Sequence, residues 1–163
     1  MGTTDSRIQI YCTNIDPNWI DGNGHLSDRH YTTVFSNAEV AFLDHIGAGN
    51  AYRIEKGGHI YTAENHLTFL NEMLLTDSIK VSVGIVDFSE RALHLSFDMH
   101  NAGGILCAHH ETLVLHVRKD DNQKPRVCNF DNDVLKKIQQ FEAEFGRIVD
   151  GKYCQKPIGI RHN

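Results

Sequence analysis

The spacing of apolar residues divides the chain into segments of different predicted structure. Residues 8–12 alternate between apolar and polar positions, which predicts a short strand. After a turn-rich stretch, apolar residues recur every three or four positions and predict a helix with one apolar face. Ser27 or Asp28 provides the N-cap of this helix, and Gly47 ends it. Its apolar face consists of Tyr31, Val34, Phe35, Ala38, Phe42 and Ile46.

From about residue 60 onward the apolar period becomes two, which is typical of half-buried antiparallel strands. The alternation is clearest over residues 79–85 and 93–99, and a longer run follows over 105–117. Turn residues separate these runs at 87–90 and at 101–104. The pattern therefore predicts a meander of at least four long strands.

A final helix is predicted from Asp131 or Asp133 as its N-cap to Gly146 as its stop. The segment 48–59 is polar and contains glycine, and we predict no helix there. With one long helix and one antiparallel sheet, the apolar face of the sheet has to be buried around that helix. The predicted fold class is α+β.

Length and composition fit one domain, since the chain has 163 residues, of which 40% are hydrophobic and 23% charged. We predict a single domain over residues 1–163, with its core at about 8–118 and a C-terminal helix and tail at about 131–163. The formal charge of −5 argues against a nucleic-acid partner. No stretch approaches the ~20 apolar residues of a membrane span, and no secretion signal is visible, so we predict a cytoplasmic protein without a membrane partner.

The loop before the long helix holds the candidate chemistry. Asp21, Gly24 and His25 lie beside a helix N-terminus, where unpaired backbone N–H groups stabilise negative charge on a carbonyl oxygen. Glycine lets a substrate approach the backbone closely. These groups fit an acyl-transfer site. The alternative is a tight turn with His25 as an ordinary packed residue.

The segment Asp21-x-x-Gly24-His25-Leu26-Ser27-x-x-x-Tyr31, with the helix and strands after it, resembles acyl-CoA thioesterases of the 4-hydroxybenzoyl-CoA thioesterase type in the hotdog superfamily. The resemblance spans about residues 8–118. Within that family the chain is most similar to the betainyl-CoA thioesterases of carnitine breakdown, through its Trp-Ile-Asp-x-Asn-Gly-His segment and the strand over 62–70. The family usually has Asn where this chain has Ser27.

The resemblance implies a hotdog fold and a catalytic carboxylate at Asp21, which attacks the thioester carbon or activates water. It also implies that the backbone amide of Asp28 faces the thioester oxygen, where the helix dipole favours an oxyanion. His25 is a second catalytic candidate, since its ring can hold Asp21 or a water molecule.

The predicted substrate-binding residues are more widely spread. They are Gly24, Trp19, Tyr31, Glu64, His66 and Arg91. The aromatic rings, together with Tyr61 and Phe69, form a cage for a trimethylammonium group if they converge, or fill the core if they do not. Glu64 and His66 lie two residues apart and therefore share one face of a strand. The resemblance implies that this face reaches the pocket. The alternative is that both side chains only pair with residues of a neighbouring strand. Arg91, like Arg118 and Lys119, contacts coenzyme A phosphates or is solvated surface charge.

The resemblance implies hydrolysis of a small acyl-CoA, with betainyl-CoA as the candidate, to free acid and coenzyme A. Two alternatives remain, a hotdog enoyl-CoA hydratase and a non-catalytic acyl-CoA-binding protein. We predict no cofactor and no metal, because the adjacent His109 and His110 point to opposite faces of a strand and no metal-ligand spacing is present. An edge strand of the sheet has to be covered, which predicts a homodimer or homotetramer.

Overall fold

The structure is a computed structural model, and it describes residues 6–149, 153 and 154. Its described part contains a six-stranded antiparallel sheet, three α-helices and a short 3₁₀ turn at Pro17–Trp19. The strands are β1 (Ile8–Asn14), β2 (His59–Phe69), β3 (Ser78–Phe88), β4 (Ala92–His100), β5 (Leu106–Lys119) and β6 (Pro125–Val127). The helices are α1 (Asp28–His45), α2 (Asn50–Lys56) and α3 (Asn132–Phe145).

The long helix α1 packs on one face of the sheet because both elements carry an apolar face. The buried side chains of α1 are Tyr31, Val34, Phe35, Ala38, Phe42 and Leu43. They share one core cluster with alternate residues of β3 and β4, among them Val83, Ile85, Leu95 and Phe97. Burying each large apolar side chain of this kind contributes about 1.5–3 kcal/mol. The predicted α+β architecture around one long helix is confirmed.

The C-terminal helix is also confirmed, with Asp131 as its N-cap and Gly146 at its end. Gly146 has a φ of 78°, a conformation that glycine adopts without strain. Phe141 of α3 packs edge-on against Phe42 of α1, with ring centroids 5.2 Å apart. The helix therefore covers the end of α1 and extends the core.

The prediction that segment 48–59 contains no helix is wrong. Gly49 and Gly57 flank α2 at its two ends, and the Asn50 N–H donates to Oδ1 of Asp44 at 3.2 Å. The helix is held by Tyr52, whose buried hydroxyl lies 3.0 Å from Nε2 of His116 on β5. Because this contact joins residues 64 positions apart, a tertiary interaction stabilises a segment of weak local preference.

The predicted four-strand meander is only partly correct. Hairpins connect β3, β4 and β5, but β2 pairs with β5 on the far side, giving the order β1-β3-β4-β5-β2. β6 pairs with the end of β5. The connection over 70–77 carries the chain from β2 across the sheet to β3, which lies between β1 and β4. The strand β2 is therefore an edge strand of 11 residues.

In the part of the chain that the structure describes, none of the helices combines the length and apolar character that a membrane crossing requires.

Candidate active site

The loop between β1 and α1 folds back on itself at one end of the sheet. Ile20 forms an isolated β-bridge with Leu26, and the Asp21 N–H donates to the His25 carbonyl at 2.9 Å. Gly24 closes this turn with a φ of 84°, where a residue with a Cβ atom would be strained. The Leu26 N–H donates to the Met73 carbonyl at 2.9 Å and ties the loop to the segment after β2. The position of Asp21 is thus fixed by backbone hydrogen bonds.

The Asp21 carboxylate is exposed, and its Oδ1 atom is hydrogen-bonded within its own loop. Its Oδ1 atom accepts the N–H groups of Asn23 at 2.8 Å and His25 at 3.4 Å. No hydrogen bond to Oδ2 is present among the described residues. Charge-assisted bonds from backbone N–H groups to Oδ1 hold the carboxylate in one orientation.

The N-terminus of α1 faces the same region. Ser27 is the N-cap, with extended backbone angles, and Asp28 is the first helical residue. The backbone N–H of Asp28 has no acceptor among the described residues, as is usual for the first turn of a helix. Together with the positive end of the helix dipole, this N–H forms a donor for a negatively charged oxygen.

These groups open into a cleft of about 360 Å³. Its walls are formed by Asp21, His25, Leu26, Asp28, Tyr31, Phe69, Leu70, Asn71 and Glu72. Three of these described residues are carboxylates, and none is a lysine or an arginine. The cleft consequently favours a positively charged group over an anionic one.

Two aromatic rings line the cleft beside the carboxylates. Tyr31 of α1 and Phe69 of β2 meet edge to face, with centroids 5.1 Å apart. Tyr31 is only 4% exposed, and this burial raises the pKa of its hydroxyl to about 12. The phenol therefore stays neutral at physiological pH. The Tyr31 ring combines an apolar wall with a polar edge.

The sequence-based prediction did not include Glu72, which lies 3.1 Å from Nε2 of His25 through its Oε2 atom. Asn71, beside it, donates from its side chain to the Leu106 carbonyl at 2.8 Å and joins the connection to β5. Both residues directly follow the predicted strand over 62–70. This position is the one local feature of the sequence that could have indicated them as site residues. Their place opposite His25 depends on the path of β2 across the sheet.

Among the predicted site residues, the structure brings Asp21, His25, Asp28 and Tyr31 to the cleft, with Gly24 in the adjoining turn. Trp19 does not line the cleft. Its indole stacks on the imidazole of His30, with centroids 5.3 Å apart. The predicted aromatic cage is therefore reduced, within one chain, to the rings of Tyr31 and Phe69.

Glu64 and His66 do not reach the cleft in this chain. They pair across the sheet with Leu113 and Glu111 of β5. This is the opposite face from Phe69, whose partner Ala108 lies in the core with α1. The alternation of side chains along β2 therefore directs Glu64 and His66 away from α1.

Arg91 lies at the other end of the sheet. Its carbonyl accepts the His116 N–H at 2.9 Å, whereas the cleft residue Phe69 is paired with Ala108. Eight residues along β5 correspond to about 26 Å. Arg118 lies at that same far end, where its guanidinium donates to Oδ1 of Asp131 at 2.8 Å. One chain alone does not bring these two basic side chains to the cleft.

Comparison with known proteins agrees with this geometry. Residues 15–138 match a family described as the thioesterase-like superfamily. A betainyl-CoA thioesterase from Pseudomonas aeruginosa is 34% identical over 133 residues, which cover 81% of this chain and 82% of that protein.

Two solved structures share the fold. A Staphylococcus aureus protein in complex with CoA has a TM-score of 0.84 at 21% identity, over 95% of this chain and 97% of that one. The 4-hydroxybenzoyl-CoA thioesterase from Pseudomonas sp. strain CBS-3 has a TM-score of 0.71 at 13% identity, over 80% and 98%. The predictions of a hotdog fold and of a thioester hydrolase are confirmed. The chain belongs to the thioesterase-like superfamily.

Proposed function

We propose that the protein is an acyl-CoA thioesterase that hydrolyses a small acyl-CoA with a positively charged acyl group, betainyl-CoA being the candidate substrate. The observation that carries the proposal is the convergence of the Asp21 carboxylate and the N-terminus of α1 on one cleft. A carboxylate supplies the base or nucleophile, and the backbone N–H of Asp28 stabilises the oxyanion that forms on the thioester oxygen.

Two routes are open to Asp21. In the first, its carboxylate takes a proton from water, the water oxygen bonds to the thioester carbon, and the carbon–sulfur bond then breaks. In the second, the carboxylate itself bonds to the carbon and releases the thiolate, and water then hydrolyses the mixed anhydride. Both routes yield the free acid and coenzyme A. Neither needs a strong general acid, because a thiol of pKa about 8.5 leaves readily as the thiolate.

The charge of the cleft supports a cationic acyl group. The carboxylates of Asp21, Asp28 and Glu72 belong to residues that line the same cleft as the rings of Tyr31 and Phe69. A trimethylammonium group over an aromatic face gains about 0.5–2 kcal/mol, and nearby carboxylates add to this attraction. The similarity to a betainyl-CoA thioesterase supports the same substrate, and with it a role in carnitine breakdown.

We further propose a homodimer, or a homotetramer built from it, that joins two sheets through β2. Among the described residues of one chain, no strand pairs with the outer edge of this 11-residue strand, and long exposed edges of this kind are normally covered. In an antiparallel pair of β2 strands, the His59 end of one lies beside the Phe69 end of the other. Three strand spacings, about 14 Å, then separate the cleft end of β2 from the partner subunit's Arg91, within reach of the phosphates of coenzyme A.

The reducing cytoplasm is the proposed location. The four cysteines are all free thiols, as expected for a protein of that compartment.

The proposal is tested by measuring free thiol release from acyl-CoA thioesters with the Asp21→Asn variant. Turnover should fall by at least about a hundredfold, because loss of a nucleophile or base typically costs that much. Asp16→Asn is the matched control, since Asp16 is an exposed carboxylate of the same loop that caps the 3₁₀ turn away from the cleft. Near-normal turnover of Asp21→Asn would remove Asp21 from the chemistry and favour a non-catalytic acyl-CoA-binding protein.

The acyl group is tested in the same assay by comparing kcat/KM for betainyl-CoA and for 3,3-dimethylbutyryl-CoA, the neutral thioester in which a carbon atom replaces the charged nitrogen. Betainyl-CoA should be preferred, because a neutral acyl chain gains nothing from the carboxylates around the cleft. Equal values, or a preference for 3,3-dimethylbutyryl-CoA, would contradict a cationic substrate while leaving the thioesterase activity in place.

A further inference from the structure

The three carboxylates that line the cleft differ in their surroundings. Asp21 is the group proposed for the chemistry. The Asp28 carboxylate accepts the Arg29 N–H at 2.7 Å and lies 3.4 Å from the Ser27 hydroxyl, at the start of α1. There the positive end of the helix dipole offsets part of its charge. Glu72 lies outside any helix or strand, in the connection that follows β2, so its charge is not offset by a helix.

We infer that Glu72 selects the acyl group of the substrate through its negative charge. This inference rests on the proposed function, hydrolysis of an acyl-CoA with a positively charged acyl group, and assigns the preference to one residue. Glu72 lines the cleft together with Asp21, Tyr31 and Phe69. Its side chain is 72% exposed, so a ligand that enters the cleft can reach the carboxylate.

The backbone on either side of Glu72 is anchored. Before it, the Asn71 N–H donates to the Cys107 carbonyl of β5 at 3.1 Å. After it, Met73 is fully buried, and its carbonyl accepts the Leu26 N–H at 2.9 Å. A side chain that starts between two anchored residues keeps its place at the cleft, which reduces the entropy lost when a ligand binds.

The imidazole of His25 orients the Glu72 carboxylate. Oε2 of Glu72 lies 3.1 Å from Nε2 of His25. A hydrogen bond from a neutral imidazole fixes the position of a carboxylate and leaves its negative charge in place. The backbone N–H of His25 also donates to Oδ1 of Asp21 at 3.4 Å. His25 therefore connects the carboxylate proposed for the chemistry with the carboxylate inferred to select the substrate.

The covalent structure of a betainyl thioester places its charge close to the reacting atom. The quaternary nitrogen is two bonds from the thioester carbon, so it enters the cleft whenever that carbon reaches Asp21. A quaternary ammonium group has no N–H to donate and is recognised by negative charge and by aromatic faces. Glu72 supplies the charge, and the rings of Tyr31 and Phe69 supply the aromatic wall. The preference for a cation should therefore depend on the charge of Glu72 and not on its size.

The test compares two substrates in Glu72→Gln, which removes the charge and keeps the size of the side chain. The substrates are betainyl-CoA and 3,3-dimethylbutyryl-CoA, which differ in the charged nitrogen alone. The ratio of their kcat/KM values should fall about 10–100-fold, the effect of losing one charge pair in a partly exposed site. The value for the neutral substrate should stay within about threefold of native, because the substitution of an exposed side chain disturbs the fold little.

Glu55→Gln is the matched control, because Glu55 is an exposed carboxylate of α2 that does not line the cleft, and its ratio should equal that of the native chain. Glu72→Asp keeps the charge and should retain more of the preference than Glu72→Gln. An unchanged ratio in Glu72→Gln, or equal losses for both substrates, would overturn the role of Glu72 and leave the proposed function in place. A native chain that hydrolyses both substrates equally well would instead contradict the cationic substrate itself.

Discussion

Asp28 lines the cleft, and its backbone N–H has no acceptor among the described residues. It is the first residue of α1, and Ser27 before it has a ψ of 142°. Proline is favoured at this helix position and requires extended angles in the residue before it, so both conditions are met here. Replacement of Asp28 by proline therefore removes the N–H group and keeps the helix.

This gives a test of the oxyanion donor that does not disturb the fold. Turnover of Asp28→Pro should be at least about tenfold below that of Asp28→Ala, because both lack the carboxylate and only alanine keeps the N–H. Loss of one such donor typically costs about 10²–10³ in kcat. Thioester assays and far-UV circular dichroism of the two variants check the result, and equal turnover would eliminate the N–H of Asp28 as the donor.

His116 makes stability depend on pH. It is fully buried, its Nδ1 donates to the Cys128 carbonyl at 3.0 Å, and burial lowers the pKa of its imidazole below the ordinary 6.5. As the pH falls, the His116 imidazole is therefore protonated near pH 6.5 in the unfolded chain but only at a lower pH in the folded chain. This contribution to stability is complete above about pH 6.5 and is lost as the pH falls through the lower folded pKa.

The free energy of unfolding should accordingly fall between pH 7 and 5 by up to about 1.4 kcal/mol per pH unit from this one group. His116→Gln has no titrating ring and should show a smaller pH slope over the same range. Urea denaturation at both pH values measures the difference. Asp131 nearby titrates below its ordinary 3.8 and does not contribute in this range. Parallel slopes for the two proteins would contradict the role of His116.

At the scale of elements, local sequence patterns were sufficient to predict helices and hairpins where the apolar periodicity agrees with the capping and turn residues. The bounds of α1 and α3 follow from apolar spacing with a capping residue at one end and glycine near the other, and the hairpins of β3, β4 and β5 follow from alternation and turn residues. The helix α2 and the edge position of β2 could not be predicted from local patterns. They depend on contacts between distant residues, such as that of Tyr52 with His116.

The same distinction applies to the candidate site. Asp21, His25 and Asp28 lie within eight consecutive residues, and a local turn before a helix already indicates their proximity. Glu72 is brought to His25 only by the crossing of β2 to the sheet edge. The face occupied by Glu64 and His66 depends on the strand register, and a shift of one residue would reverse it.

The junction between α2 and β2 gives a prediction at this scale. A Cβ atom on Gly58 would lie 2.0 Å from the Tyr52 ring and 2.8 Å from Nε2 of His116. Gly58→Ala should therefore lower the free energy of unfolding by about 1–3 kcal/mol, the usual cost of overpacking. Gly103→Ala is the control, because its nearest neighbour is the Asn101 side-chain oxygen at 3.4 Å, and it should change stability by less than about 0.5 kcal/mol. Equal urea midpoints for the two variants would refute the close contact.

At the scale of the whole molecule, the edge strand β2 is the proposed place of pairing between two copies of the chain. Residues 61–65 of this strand are exposed in succession, although an edge strand covered on one face would alternate. Pairing of two copies would cover this surface and bring the far end of the second sheet to each cleft. A substitution that prevents this pairing is therefore expected to abolish the assembly and the activity together.

Ala63 lies at the centre of the exposed stretch, at the irregularity in the pairing of β2 with β5. The native protein should sediment as a dimer or tetramer at micromolar concentration. Ala63→Glu should shift it toward the monomer, because two like charges then face each other across the paired strands, and turnover should fall in the same preparation. Ala143→Glu adds the same charge at an exposed position of α3, far from β2 in sequence, and should leave both properties intact. A native chain that is fully active as a stable monomer in analytical ultracentrifugation would contradict the shared site, since the cleft would then bind coenzyme A with residues of one chain alone.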